Sequence, residues 1–411
     1  MKKTLILCLI TFTHTILCQY TFQRSLDGVN IWSLAYDFSS VPKIYAGSTG
    51  STARIFRTTN LGNSWDTIAS GGGQTIFSIS FDSLGNMFVA NNNNGLLKST
   101  NGGLNFITIP TSVFGGSAVL SVACGRSGYV YAGTNNSGLF RSTDGGSTFT
   151  NVLPGLQVIV IKADVLQSSN VYVGTASTTP GPNGFYRSTD WGATFSVNLN
   201  PNKSIYDISF RNQGEIFTVA TTSPGFIDRS TDYGLTWNNL QSGYVLRGIT
   251  SLVNGVIFVA GNGGVYYSGN NGVTLNTTSI TSSSTPVISL VNLSSQYIFA
   301  GVSTSAGGQN GVWRSVSSLS SVNSQQQVLK SIKVFPNPFN SITTVYINLP
   351  IVNGFIDIFS ADGRFIKRVT LQGYDRELQI PLDFSSLASG IYFLNFISRE
   401  FNRTIKLLSI K

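Results

Sequence analysis

From residue 20 onward, apolar positions alternate with polar ones in short runs, separated by clusters of Gly, Asn, Asp and Ser. Ile76-Phe77-Ser78-Ile79-Ser80-Phe81 is one such run and Asp82-Ser83-Leu84-Gly85-Asn86 one such cluster. Val130-Tyr131-Ala132-Gly133 and Ile298-Phe299-Ala300-Gly301 are further runs. A period of two between turn residues predicts strands joined as hairpins. A helix would need apolar residues at three- and four-residue spacing, and no stretch of this region has it. The alternation returns near the C-terminus, where the run 332–340 is followed by strands at 344–349, 355–360, 364–370, 378–382, 391–397 and 404–410, with Asp362-Gly363 and Ser389-Gly390 as turns.

A repeat organises these strands. Leu139-Phe140-Arg141-Ser142-Thr143-Asp144-Gly145-Gly146-Ser147-Thr148-Phe149 recurs from Phe185 to Phe195 and from Arg229 to Trp237. Looser copies run from Arg57 to Trp65, Lys98 to Phe106 and Tyr267 to Leu275, and Arg314-Ser315 begins a seventh that decays. The Asp or Asn of each copy stands at 60, 101, 144, 190, 232 and 270, giving spacings of 41, 43, 46, 42 and 38 residues. A period of about 40–45 residues suits one four-stranded propeller blade. The chain is therefore read as all-β: a seven-bladed β-propeller over 19–316, a Ser/Gln/Asn-rich linker at 317–330, and a small Ig-like β-sandwich over 331–411. The seventh unit lacks its fourth strand. Thr21-Phe22-Gln23-Arg24, which precedes the first unit, resembles Thr148-Phe149-Thr150-Asn151. The N-terminal strand is expected to complete the last blade, joining the ends and hiding their sheet edges.

Composition then restricts the chemistry. Lys2 and Lys3 followed by the apolar stretch Leu5–Leu17 read as a signal peptide at 1–18, too short to span a bilayer, with Gln19 as the mature N-terminus. The single histidine, His14, lies in that leader, so the mature chain would hold none. Ser–His–Asp and Cys–His machinery and histidine-ligated zinc are then excluded, and no metal or cofactor is expected. Cys8 and Cys18 leave with the leader, and Cys124 alone cannot form an internal disulfide. It is read as a small half-buried residue. The formal charge of +9 falls to +7 without the two leader lysines, and the excess is spread along the chain. Nucleic-acid binding needs a concentrated basic face, and is not expected.

The repeated Ser-x-Asp-x-Gly-x-Thr-Trp/Phe unit resembles the Asp-box of sialidase-type (BNR) propellers. It is carried by Ser142, Asp144 and Gly146, by Ser188, Asp190 and Gly192, and by Ser230, Asp232, Gly234 and Trp237. Short Ser and Asp side chains accept turn N–H bonds, Gly takes positive φ, and the aromatic packs between sheets. A catalytic residue would occur once rather than in every unit, and Asn60, Asn101 and Asn270 replace Asp. The box is read as structural. The resemblance places it between third and fourth strands, away from the ligand face.

That ligand face would be built from the blade connections and the loops 47–54, 91–95, 134–138, 175–184, 221–225, 261–264 and 302–311. These are Ser/Thr/Asn/Gly-rich, with Arg54 their only charge. Asp37, Asp82 and Asp164 fall at turns on the other face, and Glu215 sits near such a turn. Glycoside hydrolysis normally needs two carboxyl groups flanking one bond. No such pair, and no sialidase-like cluster of arginines with a nucleophilic Tyr, is assembled, so no catalytic residue is assigned. Innermost strands mostly place Ser third (Ser33, Ser78, Ser121), and the fifth and sixth units are read with Asp207 and Arg247 there. The two are expected as neighbours near the channel mouth, either as an inter-blade ion pair or as a ligand contact. Trp191 and Tyr233, at box turns, could stack on sugars.

The final segment opens on Val334-Phe335-Pro336-Asn337-Pro338 and continues with Asp362-Gly363-Arg364, Leu387-Ala388-Ser389-Gly390-Ile391-Tyr392 and the basic-apolar end Lys406–Lys411. It resembles the type A C-terminal sorting domain of the type IX secretion system of Bacteroidetes, with Pro336, Asn337, Pro338, Gly390 and Tyr392 in its motifs. The resemblance implies Sec export, passage across the outer membrane, and the secretion machinery as a partner of residues 331–411. The combined expectation is a secreted or surface-displayed propeller that binds glycan or protein without catalysis, with no transmembrane segment. The alternatives are a glycoside hydrolase of the Asp-box type, endoglucanase-like or sialidase-like, and a structural part of the envelope or gliding surface.

Overall fold

A computed structural model describes residues 20–316 and 332–410 except 38–42, 71–74, 93, 126–127, 164–168, 177–182, 212–213, 222–224, 253–254, 283–285, 294–296, 305–308, 348–353, 361–364, 372–377 and 399–401. The leader, the linker, Asp164, and the Asp362-Gly363-Arg364 turn lie outside the described residues. Among the described residues, 22–315 form seven separate antiparallel sheets and the tail forms two more. The third sheet is representative. Its strands Val119–Cys124, Val130–Thr134, Gly138–Ser142 and Thr150–Pro154 pair in sequence order, as hairpin connections dictate.

Each sheet contributes an innermost strand: Ile31–Asp37, Ile76–Phe81, Val119–Cys124, Gln157–Ala163, Ile205–Arg211, Leu246–Ser251 and Val287–Leu293. Each of these touches the next, and the last touches the first, so the sheets close into a ring. The second strands make room for that approach. A Cβ on Gly47, Gly133, Gly174 or Gly301 would run into Ile76, Val158, Ile205 or Ile31, the first buried residue of the following inner strand. Glycine serves close packing at these four positions.

The ends join as expected. Phe22–Asp27 pairs with Gly311–Ser315 in the register Phe22↔Ser315, Gln23↔Arg314 and Arg24↔Trp313, giving a sheet assembled from both ends of the region. The fourth sheet departs from the four-strand expectation and has three regular strands, ending at Phe185–Ser188. The chain that follows still bonds that edge through Ser196 N–H to the Arg187 carbonyl and Leu199 N–H to the Phe185 carbonyl. Asn198 replaces a ladder bond with its side chain, whose oxygen accepts the Phe185 and Asn200 N–H groups. Side-chain competition of this kind interrupts regular pairing.

The Ser-x-Asp-x-Gly turns link neighbouring sheets. In the fourth sheet the Ser188 hydroxyl oxygen accepts the N–H of Gly192 at 2.8 Å and of Asp190 at 3.2 Å, and its proton goes to Asp190 Oδ1 at 2.7 Å. Asp190 in turn accepts the Thr194 N–H and hydroxyl. Ser142/Asp144/Gly146 and Ser230/Asp232/Gly234 repeat these bonds, and Asn60, Asn101 and Asn270 keep the Oδ1 acceptor. Gly192 has φ 74°, and a Cβ there would meet the Tyr131 ring of the preceding sheet at 2.7 Å. Gly146 and Gly234 sit in the same way against Phe88 and Phe185, and Trp237 packs edge-on to Phe185.

The tail strands form two sheets, Ile332–Phe335, Ile342–Ile347 and Leu378–Asp383 against Gly354–Ser360, Phe365–Leu371, Gly390–Ser398 and Asn402–Ser409. They share one apolar core that includes Val345, Ile356, Phe384, Leu394 and Phe396. The opening motif is tied to the last strand: Asn337 Oδ1 accepts the Leu408 N–H at 2.9 Å, and the Pro336 carbonyl accepts the Thr343 hydroxyl. The Tyr392 hydroxyl donates to the Ala388 carbonyl at 2.6 Å, and a Cβ on Gly390 would meet open space.

Candidate functional site

The two ends of the ring channel are distinguished by backbone bonds. At one end the loops between second and third strands bond the residues just before the inner strands, as Thr49 N–H does to Asn30 and Asn135 N–H to Ala118. The box turns lie at the other end, where Gly145 N–H bonds Gly128 and Trp191 N–H bonds Ser169, beside the turns that follow the inner strands. The loop-face residues are held by short buried side chains at the ends of second strands. Ser48 accepts the Arg54 N–H, Thr134 that of Ser137 and Thr175 that of Gly184. Arg54 begins the third strand of the first sheet, exposed to solvent, and does not line the channel.

The channel encloses a cavity of about 610 Å³ lined by inner-strand residues of all seven sheets. Every inner strand shifts register near its start, between Ile31 and Ser33, Ile76 and Ser78, Val119 and Ser121, Val158 and Val160, Ile205 and Asp207, Leu246 and Gly248, and Val287 and Ser289. The residue skipped by the ladder is Trp32, Phe77, Leu120, Ile159, Tyr206, Arg247 or Ile288. A bulge re-aims its side chain, and all seven line the cavity, each half-buried. They form a collar toward the loop-face end, six of them apolar or aromatic and one charged. Trp32 and Phe77 meet edge-to-face at 6.0 Å.

This register corrects the expected Asp207–Arg247 pairing. Arg247 occupies the skipped second position, and Gly248 holds the third, beside the Asp207 of the preceding sheet. Asp207 does stand with Ser33, Ser78 and Ser121. Those hydroxyls donate to carbonyls of the next inner strand, at Ile76, Val122 and Val158. A carboxylate cannot donate, so Asp207 accepts instead: the Ile249 N–H of the next sheet at 3.0 Å, its neighbour Ile208 N–H at 2.9 Å, and the Lys162 ammonium of the preceding sheet at 3.0 Å. The inter-blade ion pair exists, with Lys162 as partner. Arg247 lies over the Tyr206 ring at 5.6 Å, and its Nε is buried without a hydrogen-bond partner.

Other carboxylates are also occupied. Asp228 is fully buried, and accepts Lys203 Nζ at 2.5 Å with the Asn200 and Asn239 amides at 2.9 Å. Burial pushes Glu215 up, but Arg211 and Arg229 outweigh it and hold the carboxyl below its ordinary value. Asp37 pairs with Lys43, and Asp82 caps its own turn through the Leu84 and Asn86 N–H groups. Trp191 is engaged rather than free for sugars, stacking on Tyr129 at 4.9 Å, while Arg187 lies over Tyr233 at 5.1 Å. Cys124 is more deeply buried than expected, and burial pushes its thiol up to about 12. Among the described residues, no His/Cys/Asp/Glu group is arranged to hold a metal ion, and no helix is long and apolar enough to cross a membrane.

The collar was not foreseen from the sequence. Its signal was present in the aligned inner strands, where a large residue follows each first Ile, Val or Leu, but a period-two reading assigns that residue to a sheet face.

Residues 333–411 match the family described as the secretion system C-terminal sorting domain. No curated protein matches the chain. Among solved structures it is similar to YCF48 from Cyanidioschyzon merolae, at 15% identity and TM-score 0.56 over 72% of this chain and 98% of that one. It is also similar to PorZ, a bacterial surface component of the type IX secretion system of Porphyromonas gingivalis, at 14% identity and TM-score 0.50 over 92% of this chain and 59% of PorZ. A GH74 xyloglucanase from Xanthomonas campestris aligns at 10% identity and TM-score 0.54, over 94% of this chain and 75% of the enzyme. The fold is that of β-propeller proteins, and the tail is a secretion sorting domain.

Proposed function

We propose that the chain is a type IX-exported, secreted or cell-surface binding protein. Its parts are a signal peptide at 1–18, a seven-bladed Asp-box propeller at 19–316, a linker at 317–330 and an Ig-like sorting domain at 331–411. The propeller recognises a glycan or protein at the channel mouth and does no chemistry on it. One observation carries this reading: the collar opens on a cavity of about 610 Å³, while the nearby carboxylate, Asp207, is spent on three bonds that hold the ring together. A glycosidase needs two carboxyl groups about 5–9.5 Å apart and free to exchange protons or attack. Glu215, which also lines the cavity, is held between Arg211 and Arg229, and the fully buried Asp228 carries three bonds of its own. The neighbours do not choose the ligand, since the xyloglucanase name concerns a glycan and another neighbour is YCF48 bound to a D1 peptide.

Two experiments test the reading. The mature protein, run on a glycan array and in a reducing-sugar assay against plant and bacterial polysaccharides, should release no reducing ends. Sustained release would defeat the binding assignment. Deleting residues 331–411 should leave the propeller in the periplasm, and undiminished surface or medium levels of that truncation would defeat the export assignment.

A further inference from the structure

We infer that the channel mouth takes the C-terminal end of a polypeptide, with its terminal carboxylate on Arg247 and an apolar side chain against the collar. This rests on the binding reading above and names the ligand class. Arg247 is the one charged member of the collar, and no described acidic group pairs with it. The carboxylate next along the chain from Tyr206, Asp207, is turned to Lys162 and the Ile249 N–H.

The Arg247 guanidinium is backed by the Tyr206 ring, and its buried Nε has no acceptor. The covered Nε leaves no room for a ligand oxygen, but the Nη groups are not buried and make no described bond, and a carboxylate is the acceptor whose two oxygens fit the guanidinium fork. Arg57, Arg141, Arg187 and Arg314 also have unpartnered Nε atoms, but none of them lines the cavity.

The rest of the collar selects what accompanies the carboxylate. Leu120, Ile159 and Ile288 offer no hydrogen bonds, so a sugar ring seated there would lose water from its hydroxyls without replacement. An apolar side chain gains from the same surface, and Trp32 and Phe77 supply aromatic faces for it. A chain-terminal Leu, Ile, Val or Phe presents both groups on one residue.

The test uses the mature full chain and a pool of short fluorescein-labelled Gly/Ser peptides ending in Leu, Ile, Val or Phe. The pool is prepared as free acids and as C-terminal amides, and binding is read by anisotropy. The free-acid pool should bind at least about tenfold more tightly than the amide pool, the loss expected for one charge-assisted bond pair. Arg247→Gln should erase that ratio, Arg247→Lys should keep part of it, and Phe77→Ser should weaken both pools. A cooperative urea transition establishes that each variant is folded, with midpoints within error of wild type for the Arg247 variants and a lower one for Phe77→Ser, which packs against the core. Equal binding of the two pools, or an unchanged ratio in folded Arg247→Gln, would overturn the proposal. Binding of oligogalacturonate without binding of the peptide acids would overturn it too, yet leave the non-catalytic binding reading standing. That wider reading falls only if polysaccharide is cleaved.

Discussion

The box turns permit a sharp separation between a structural hydroxyl and a carboxylate that looks catalytic. In Ser188→Ala the Gly192 N–H, buried against the Tyr131 ring, loses its only described acceptor at 2.8 Å, and the Asp190 N–H loses a weaker one at 3.2 Å. A buried unsatisfied donor costs about 1–3 kcal/mol, so the variant should lose stability in that range. Asp190→Asn keeps the Oδ1 acceptor for the Thr194 N–H, as Asn270 does for Thr274, and should cost less than about 1 kcal/mol. The pH dependence has a definite sign. Burial pushes the Asp190 carboxyl up, but bonds from Thr194 and Ser188 outweigh it and hold it at about 2. A carboxyl depressed in the folded state adds stability that is fully present above its unfolded value near 4 and is lost as pH falls through about 2. The Asn variant should therefore lose part of the acid-side slope between those values. Urea unfolding followed by tryptophan fluorescence reads the propeller alone, because Trp32, Trp65, Trp191, Trp237 and Trp313 all precede the tail. A neutral Ser188→Ala beside an Asp190→Asn loss above about 2 kcal/mol would refute the turn argument and put the weight on the charge.

Deleting residues 20–27 should lower the urea midpoint and red-shift the emission, since Trp313 loses Arg24 at 5.1 Å and its strand loses a partner. An unchanged midpoint would mean that the ring closes without this strand. Asp207→Ala should cost about 1–3 kcal/mol by stranding the Ile249 N–H and Lys162. A variant with wild-type stability would return Asp207 to the candidate ligand residues. Cys124 should resist iodoacetamide at pH 8 in the folded protein and react on unfolding in urea, because burial pushes its thiol up to about 12. Alkylation of the native protein at the rate of a free thiol would contradict that burial.

What could be read in advance was whatever repeats. The box recurs with its spacing, and bonds from a Ser or Thr side chain to an Asp or Asn two residues on are local, so turn, sheet order and end-to-end closure followed from residues such as Ser142 and Phe22. The channel mouth was hidden for a matching reason. Its geometry depends on a one-residue slip between partner strands, and a slip exchanges the faces of everything beyond it. The expected pairing starts the sixth inner strand at Val245, one residue before the Leu246 at which ladder pairing begins, and so makes Arg247 third. Pairing from Leu246 makes Gly248 third, and the bulge leaves Arg247 out of the ladder, facing the cavity. The same slip explains why the channel holds little free acid. Third-position residues face the adjacent strand, where unpaired backbone groups demand partners, so a carboxylate introduced there, as at Asp207, is drawn into the framework. Second-position residues owe nothing to the ladder and are free to vary with the ligand. Recognition in this ring should therefore be sought at Trp32, Phe77, Tyr206 and Arg247; Phe77 also packs against the core and should cost stability when truncated, whereas Arg247→Gln should change binding with little effect on the urea midpoint.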